Sequence, residues 1–156
     1  MNSRLYNLLL AVLLLIPIGA SAERSWKFNV TPSDDQTALA ADANWTYNST
    51  NKRYGLTTAV ADAQLTANGR TLAMTAGLYF TASASPSGSI RVDVNKRLGL
   101  NGSDIIVRIP NLKAGTTVKV NFGSSSKGKE RSLILTNLSE TAFTSSINTG
   151  ADYTAT

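Results

Sequence analysis

Apolar residues are arranged in two ways along this 156-residue chain: as one unbroken block near the N-terminus, then as short alternating runs separated by turn residues. The block is Leu8 to Ile16 (LLLAVLLLI), preceded by Arg4 and followed by Ala20-Ser21-Ala22. A basic start, an apolar stretch and a small-residue site, in that order, predict a secretory signal peptide over residues 1–22 with cleavage before Glu23. A retained anchor fits less well, because even Leu5 to Ile18 is shorter than the roughly 20 residues a spanning helix needs. The expectation is a secreted protein, periplasmic, cell-surface or extracellular, with no stable membrane insertion after cleavage.

From residue 23 the dominant period is two. Ser25 to Val30 sets Trp26, Phe28 and Val30 against Ser25, Lys27 and Asn29, which predicts a first strand with Trp26 in the core. Thr31-Pro32-Ser33-Asp34 reads as a helix start, with Thr31 as N-cap and Pro32 at the first helical position, and the Ala-rich Ala38 to Ala43 extends one short helix over roughly 32–43. Trp45-Thr46-Tyr47 and Arg53 to Leu56 flank the polar Asn48 to Lys52 and predict a hairpin. Ala63 to Ala67, the turn Asn68-Gly69 and Thr71 to Met74 predict another. Gly77 to Thr81 is a short strand, followed by a Ser-rich loop from Ala82 to Ser89.

Ile90-Arg91-Val92-Asp93-Val94 alternates cleanly, which puts Arg91 and Asp93 on a wet face and Ile90, Val92 and Val94 on a dry one. Leu98 and Leu100, Ile105 to Ile109, Thr116 to Phe122 and Arg131 to Thr136 continue the series, broken by Asn101-Gly102, by Pro110 to Gly115 and by the loop Gly123 to Lys129. Short strands with turn signals every eight to twelve residues and one early helix define an all-β chain. The expected architecture is an antiparallel β-sandwich, jelly-roll-like, as a single domain over residues 23–156. A closed barrel is the alternative.

Composition narrows the chemistry. There is no Cys, so an exported domain must rely on its core and its backbone ladders. There is no His, which removes Ser-His and Cys-His nucleophile activation, and with Cys also absent the usual zinc ligand sets are gone. Asp34, Asp35, Asp42, Asp62, Asp93 and Asp104 lack the dense spacing of a calcium loop, and Asp34-Asp35 reads as helix-start chemistry. No cofactor, no metal and no catalytic residue are expected. The net charge of +5 falls by one when Arg4 leaves with the signal, and outside the cytoplasm such a charge meets acidic glycans or water sooner than nucleic acid.

The series Trp26-Lys27-Phe28, the Ala-rich helix, Leu65 to Gly69, Gly77 to Phe80 and Ile109 to Thr116 resembles a β-sandwich module of secreted Bacteroidota proteins, found ahead of pectate-lyase-like and other glycan-degrading parts. The resemblance covers most of Trp26 to Phe143 and rests on turn and core residues. It implies a noncatalytic module similar to a carbohydrate-binding one and transfers no binding residue. It also implies further domains downstream, with the polar, strand-prone tail Ala151 to Thr156 marking a truncated frame.

Two sets of side chains are candidates for contact with a polysaccharide. Trp45, Tyr47 and Tyr54 offer rings that stack on sugar C–H faces, although a core position is the simpler reading for Trp45. Lys52-Arg53, Lys96-Arg97 and Lys127 through Arg131, with Lys127 and Lys129 among them, would take uronate or sulfate groups if their loops met. Otherwise they are separately solvated turns. Asn44, Asn48, Asn101 and Asn137 head N-glycosylation patterns of a kind that arise by chance in a chain rich in Ser, Thr and Asn. The expected function is a secreted accessory module binding polysaccharide, acidic ones included. The alternative is a structural or adhesive surface protein acting through protein contacts.

Overall fold

The computed structural model describes residues 24–102, 104–113, 115–122, 132–136, 142–147 and 151–155. They form antiparallel β-structure with one short helix, as the alternating pattern predicts. The chain divides into two compact units, one up to Arg108 and one from Ile109.

In the first unit, helix α1 spans Ser33–Ala41, one residue later than Thr31 and Pro32 suggest: Pro32 is the N-cap, with no side-chain capping bond. Thr31 is occupied elsewhere, its N–H donating to Asn95 Oδ1 at 2.9 Å while its Oγ1 accepts from Asn95 N at 3.0 Å. The helix stops at Asp42, whose carboxylate accepts the N–H groups of Asn44 (2.7 Å) and Asn68 (2.6 Å) from an extended backbone. Those bonds, Asn68 first, hold the Asp42 carboxyl below its ordinary value. Asp35, fully buried, does more than favour a helix start: its two oxygens accept the N–H groups of Ala73 and Met74, each at 2.9 Å, and so cap the 3₁₀ turn Ala73–Thr75.

Strands β1 (Trp45–Asn48), β2 (Arg53–Leu56), β7 (Ile90–Asp93) and β8 (Arg97–Leu100) form a four-stranded sheet in the order β1-β2-β7-β8. Strands β3 (Val60–Ala63), β6 (Tyr79–Ala82) and β9 (Ile106–Arg108) form a three-stranded sheet, β3-β6-β9. β4 (Thr66–Ala67) and β5 (Arg70–Thr71) make a small hairpin around Asn68 and Gly69, both at positive φ. β2 pairs with β7 and β3 with β6, so the chain runs out and back as one antiparallel ribbon that passes from one sheet to the other.

The core of this unit comes from the helix and from both sheets: Leu39, Trp45, Leu56, Leu65, Leu72, Phe80, Ile90 and Val92 are all buried. Each large side chain buried there stabilises the fold by about 1.5–3 kcal/mol over its exposed state. Two expectations fail. Ser25 to Val30 is not a strand; Phe28-Asn29 is a turn, Val30 is exposed, and Trp26 is half-buried with its Nε1 donating to Ala76 O at 2.9 Å. Six alternating residues set up a face, but a strand also needs a ladder partner, and here a side chain makes the anchoring bond instead. In addition, Ala63 to Ala67 is split between β3 and β4.

The second unit holds β10 (Val118–Phe122) paired with β13 (Ala151–Ala155), and β11 (Ser132–Thr136) paired with β12 (Ala142–Ile147), both antiparallel. β13 turns the strand-prone tail into the partner of β10. Among the described residues no helix is long and apolar enough to cross a membrane.

Candidate functional site

The two basic doublets Lys52-Arg53 and Lys96-Arg97 come together at one end of the four-stranded sheet. Each belongs to a hairpin turn shaped by Asn. In the β1–β2 turn, Asn48 Oδ1 accepts the N–H of Asn51 at 3.0 Å and Lys52 adopts φ +48°; in the β7–β8 turn, Asn95 sits at φ +53°, a conformation Asn tolerates. Because β2 and β7 are neighbours, the two turns lie side by side, tied by Val94 N to Lys52 O at 2.9 Å.

Register does the rest. Arg53 stands opposite Asp93, and Asp93 opposite Arg97, in one row across three strands. Asp93 Oδ1 accepts from Arg53 Nε at 2.6 Å and Asp93 Oδ2 from Arg97 Nε at 2.8 Å. Alternation puts Asp93 on the wet face, but the two arginines roof it: its side chain is only 5% exposed, against 22% for Arg53 and 38% for Arg97. The expectation of an outward, solvated Asp93 is corrected accordingly. Each guanidinium spends its Nε on the carboxylate, and the terminal nitrogens of both have no hydrogen-bond partner among the described residues. A row of two cations on one anion therefore retains unused donors and a net positive charge.

Arg91 shares this face without being available. Its Nε donates to Ser87 O and Gly88 O at 3.2 and 3.1 Å, and its Nη2 to Ser87 O at 3.0 Å. It thus pins the loop between β6 and β7 onto Gly55, where a Cβ on Gly88, at φ +81°, would lie 2.6 Å from Gly55 Cα. Burial, reinforced by the nearby Arg53 charge and opposed by Asp93, lowers the Arg91 pKa from its ordinary value.

The aromatic candidates separate. Trp45 is buried, its Nε1 donating to Thr66 O at 2.9 Å, so it is a core residue and leaves the list of ligand contacts. Tyr47 and Tyr54 are direct cross-strand partners with ring centroids 4.7 Å apart and planes tilted by 40°. Tyr47 is 49% exposed and Tyr54 lies half-buried behind it, where burial first and Tyr47 second raise its pKa. The tilt removes a shared flat platform, and the pair, in register with Val92, sits on the face of the sheet opposite Arg53, Asp93 and Arg97, with Tyr47 the more exposed of the two rings. Lys127 and Lys129 lie outside the described residues.

The sequence named Arg53 and both doublets; it missed Asp93 as their anchor and Arg91 as the clasp of the loop. The alternation of Ile90 to Val94 was the available signal for a shared wet face. A second acid–arginine cluster was not foreseen: Asp62, at φ +44° in the irregular part of the β3–β6 pairing, takes Arg108 Nε and Nη2 at 2.7 and 2.8 Å, with Arg108 4.5 Å over the Tyr79 ring. No group of three or more Asp or Glu among the described residues is placed to hold a metal ion. In comparisons with known proteins, no family model matches the chain, and neither curated proteins nor solved structures return a significant match.

Proposed function

We propose that this chain is a noncatalytic accessory module, carried out of the cytoplasm by residues 1–22, that binds polysaccharide, acidic ones included. The single observation that supports it best is the meeting of Lys52-Arg53 with Lys96-Arg97 at one end of a sheet. A positive patch of this kind suits a sugar polymer with negative substituents, whose charges the cations draw in; Tyr47, paired with Tyr54 on the opposite face of the sheet, offers a separate ring for stacking on C–H faces. Single contacts of this kind are weak, and a polymer compensates by repeating them.

The test is affinity electrophoresis of the purified protein through gels containing neutral and acidic polysaccharides. Retardation on at least one acidic polymer is expected, with Tyr47→Ala weakening it. Unretarded migration on every polymer would overturn the reading.

A further inference from the structure

The basic face is built, not merely charged, and its parts differ in how far they are used up. Arg91 has its Nε and Nη2 on carbonyl oxygens of the loop it clasps. Lys52 and Lys96 are exposed point charges on turns. Arg53 and Arg97 stand between these extremes: half-buried, each oriented by one short bond from Nε to the same carboxylate, each with both terminal nitrogens unspent among the described residues. Since both Nε atoms reach one Asp93, the two guanidinium groups cannot stand further apart than a single carboxylate allows. Fixing them in the free protein removes most of the side-chain ordering cost that binding usually carries. Planar forks held this way match the oxygens of sulfate or carboxylate, which a Lys ammonium does not.

We infer that Arg53 and Arg97, aligned by Asp93, form an oxyanion subsite that takes one sulfate ester or uronate carboxylate of an acidic polysaccharide, with Lys52 and Lys96 steering the polymer in. The inference rests on the polysaccharide reading but is tested apart from it. Asp93 acts as a positioning residue: it touches the arginines, not the ligand. Its role carries an unusual signature. Removing its negative charge beside an anion site raises affinity if charge alone matters, and lowers affinity if alignment matters.

The probe is inorganic sulfate, titrated into the ¹⁵N-labelled protein against sodium chloride at matched ionic strength, while the arginine Nε–H resonances are followed by NMR. Saturable shifts of Arg53 and Arg97, with Arg108 unmoved, are expected; Arg97→Gln weakens sulfate at least tenfold, and Asp93→Asn weakens it several-fold despite the gain in positive charge. Shifts that chloride reproduces, or that Arg108 shares, overturn the subsite. Tighter sulfate binding by Asp93→Asn overturns the positioning role, and if that variant does not fold, Arg97→Gln still decides the subsite. Oligogalacturonate and a sulfated oligosaccharide then compete for bound sulfate, and the one that displaces it identifies the natural oxyanion. Displacement by neither means an adventitious ion only and overturns the inference. If polymer is retarded in gels while the arginine signals stay still, the polysaccharide reading stands and the subsite falls.

Discussion

Asp62 and Asp93 both hold arginines by short hydrogen bonds, and they do it in opposite ways. Asp62, its side chain 59% exposed, takes both Nε and Nη2 of one arginine, Arg108, in a closed fork. Asp93, nearly buried, gives one oxygen to each of two arginines and takes only their Nε atoms. The first cluster is charge-neutral, with its arginine lying over the Tyr79 ring. The second is left with excess positive charge and unspent donors. The same ion-pair chemistry makes a surface staple in one place and a prepared receptor in the other. What separates them is the number of cations gathered on each acid and how deeply the acid is set.

The largest disturbance to this contrast comes from the loop above Asp93's sheet. Gly88→Ala drives a Cβ to 2.6 Å from Gly55 Cα at a positive φ, so overpacking and left-handed strain together cost about 2–5 kcal/mol. Urea unfolding should show the loss, and a midpoint unchanged from wild type would mean that the loop is free to lift away.

Removing the acids themselves compares the two clusters directly. Asp93→Ala leaves two half-buried guanidinium groups facing one another and is expected to cost about 3 kcal/mol, the lower end for a broken buried pair because the arginines are partly exposed. Asp62→Asn breaks a solvent-screened pair while keeping a residue that tolerates φ +44°, and is expected to leave the unfolding midpoint nearly unchanged. Equal losses in the two variants would erase the distinction between staple and receptor.

The smallest effect is in acid. Hydrogen bonds from Arg108, helped by its charge, hold the Asp62 carboxyl below its ordinary value. The unfolded chain then binds the proton more readily than the folded one, so the stabilisation is present above the unfolded carboxyl value of about 3.9 and is lost as pH falls through the lower folded value. Carboxyl-detected NMR titration should show a depressed Asp62 midpoint that returns to normal in Arg108→Gln. A normal midpoint in wild type would contradict the closed fork.

Local signals carried much of the fold. Asn48 to Lys52 and Asn68-Gly69 announced their hairpins because turn residues act within four or five positions, and Ile90 to Asp93 showed its faces through plain alternation. β3 escaped notice because Val60-Ala61-Asp62-Ala63 is interrupted by the left-handed Asp62, which breaks the period of two. Ser25 to Val30 alternated but found no ladder. The site was legible as two doublets and illegible as a place: Arg53 meets Asp93 forty residues away only through the register of β2 on β7, and register is a property of the assembled sheet. Trp45 shows the converse limit, since an aromatic side chain on an alternating strand reads the same from sequence whether it faces core or ligand.

The most direct test of the arginine pair uses two double variants that lose the same charge from different places. Arg53→Gln/Arg97→Gln empties the proposed subsite; Arg70→Gln/Arg108→Gln removes two cations from exposed pairs elsewhere. Both are run beside wild type through gels containing a sulfated polysaccharide and through gels containing polygalacturonate. The expected result is loss of retardation in the first variant and near-wild-type retardation in the second. Equal loss in both would mean that the polymer responds to net charge alone, and the prepared receptor at Asp93 would be contradicted.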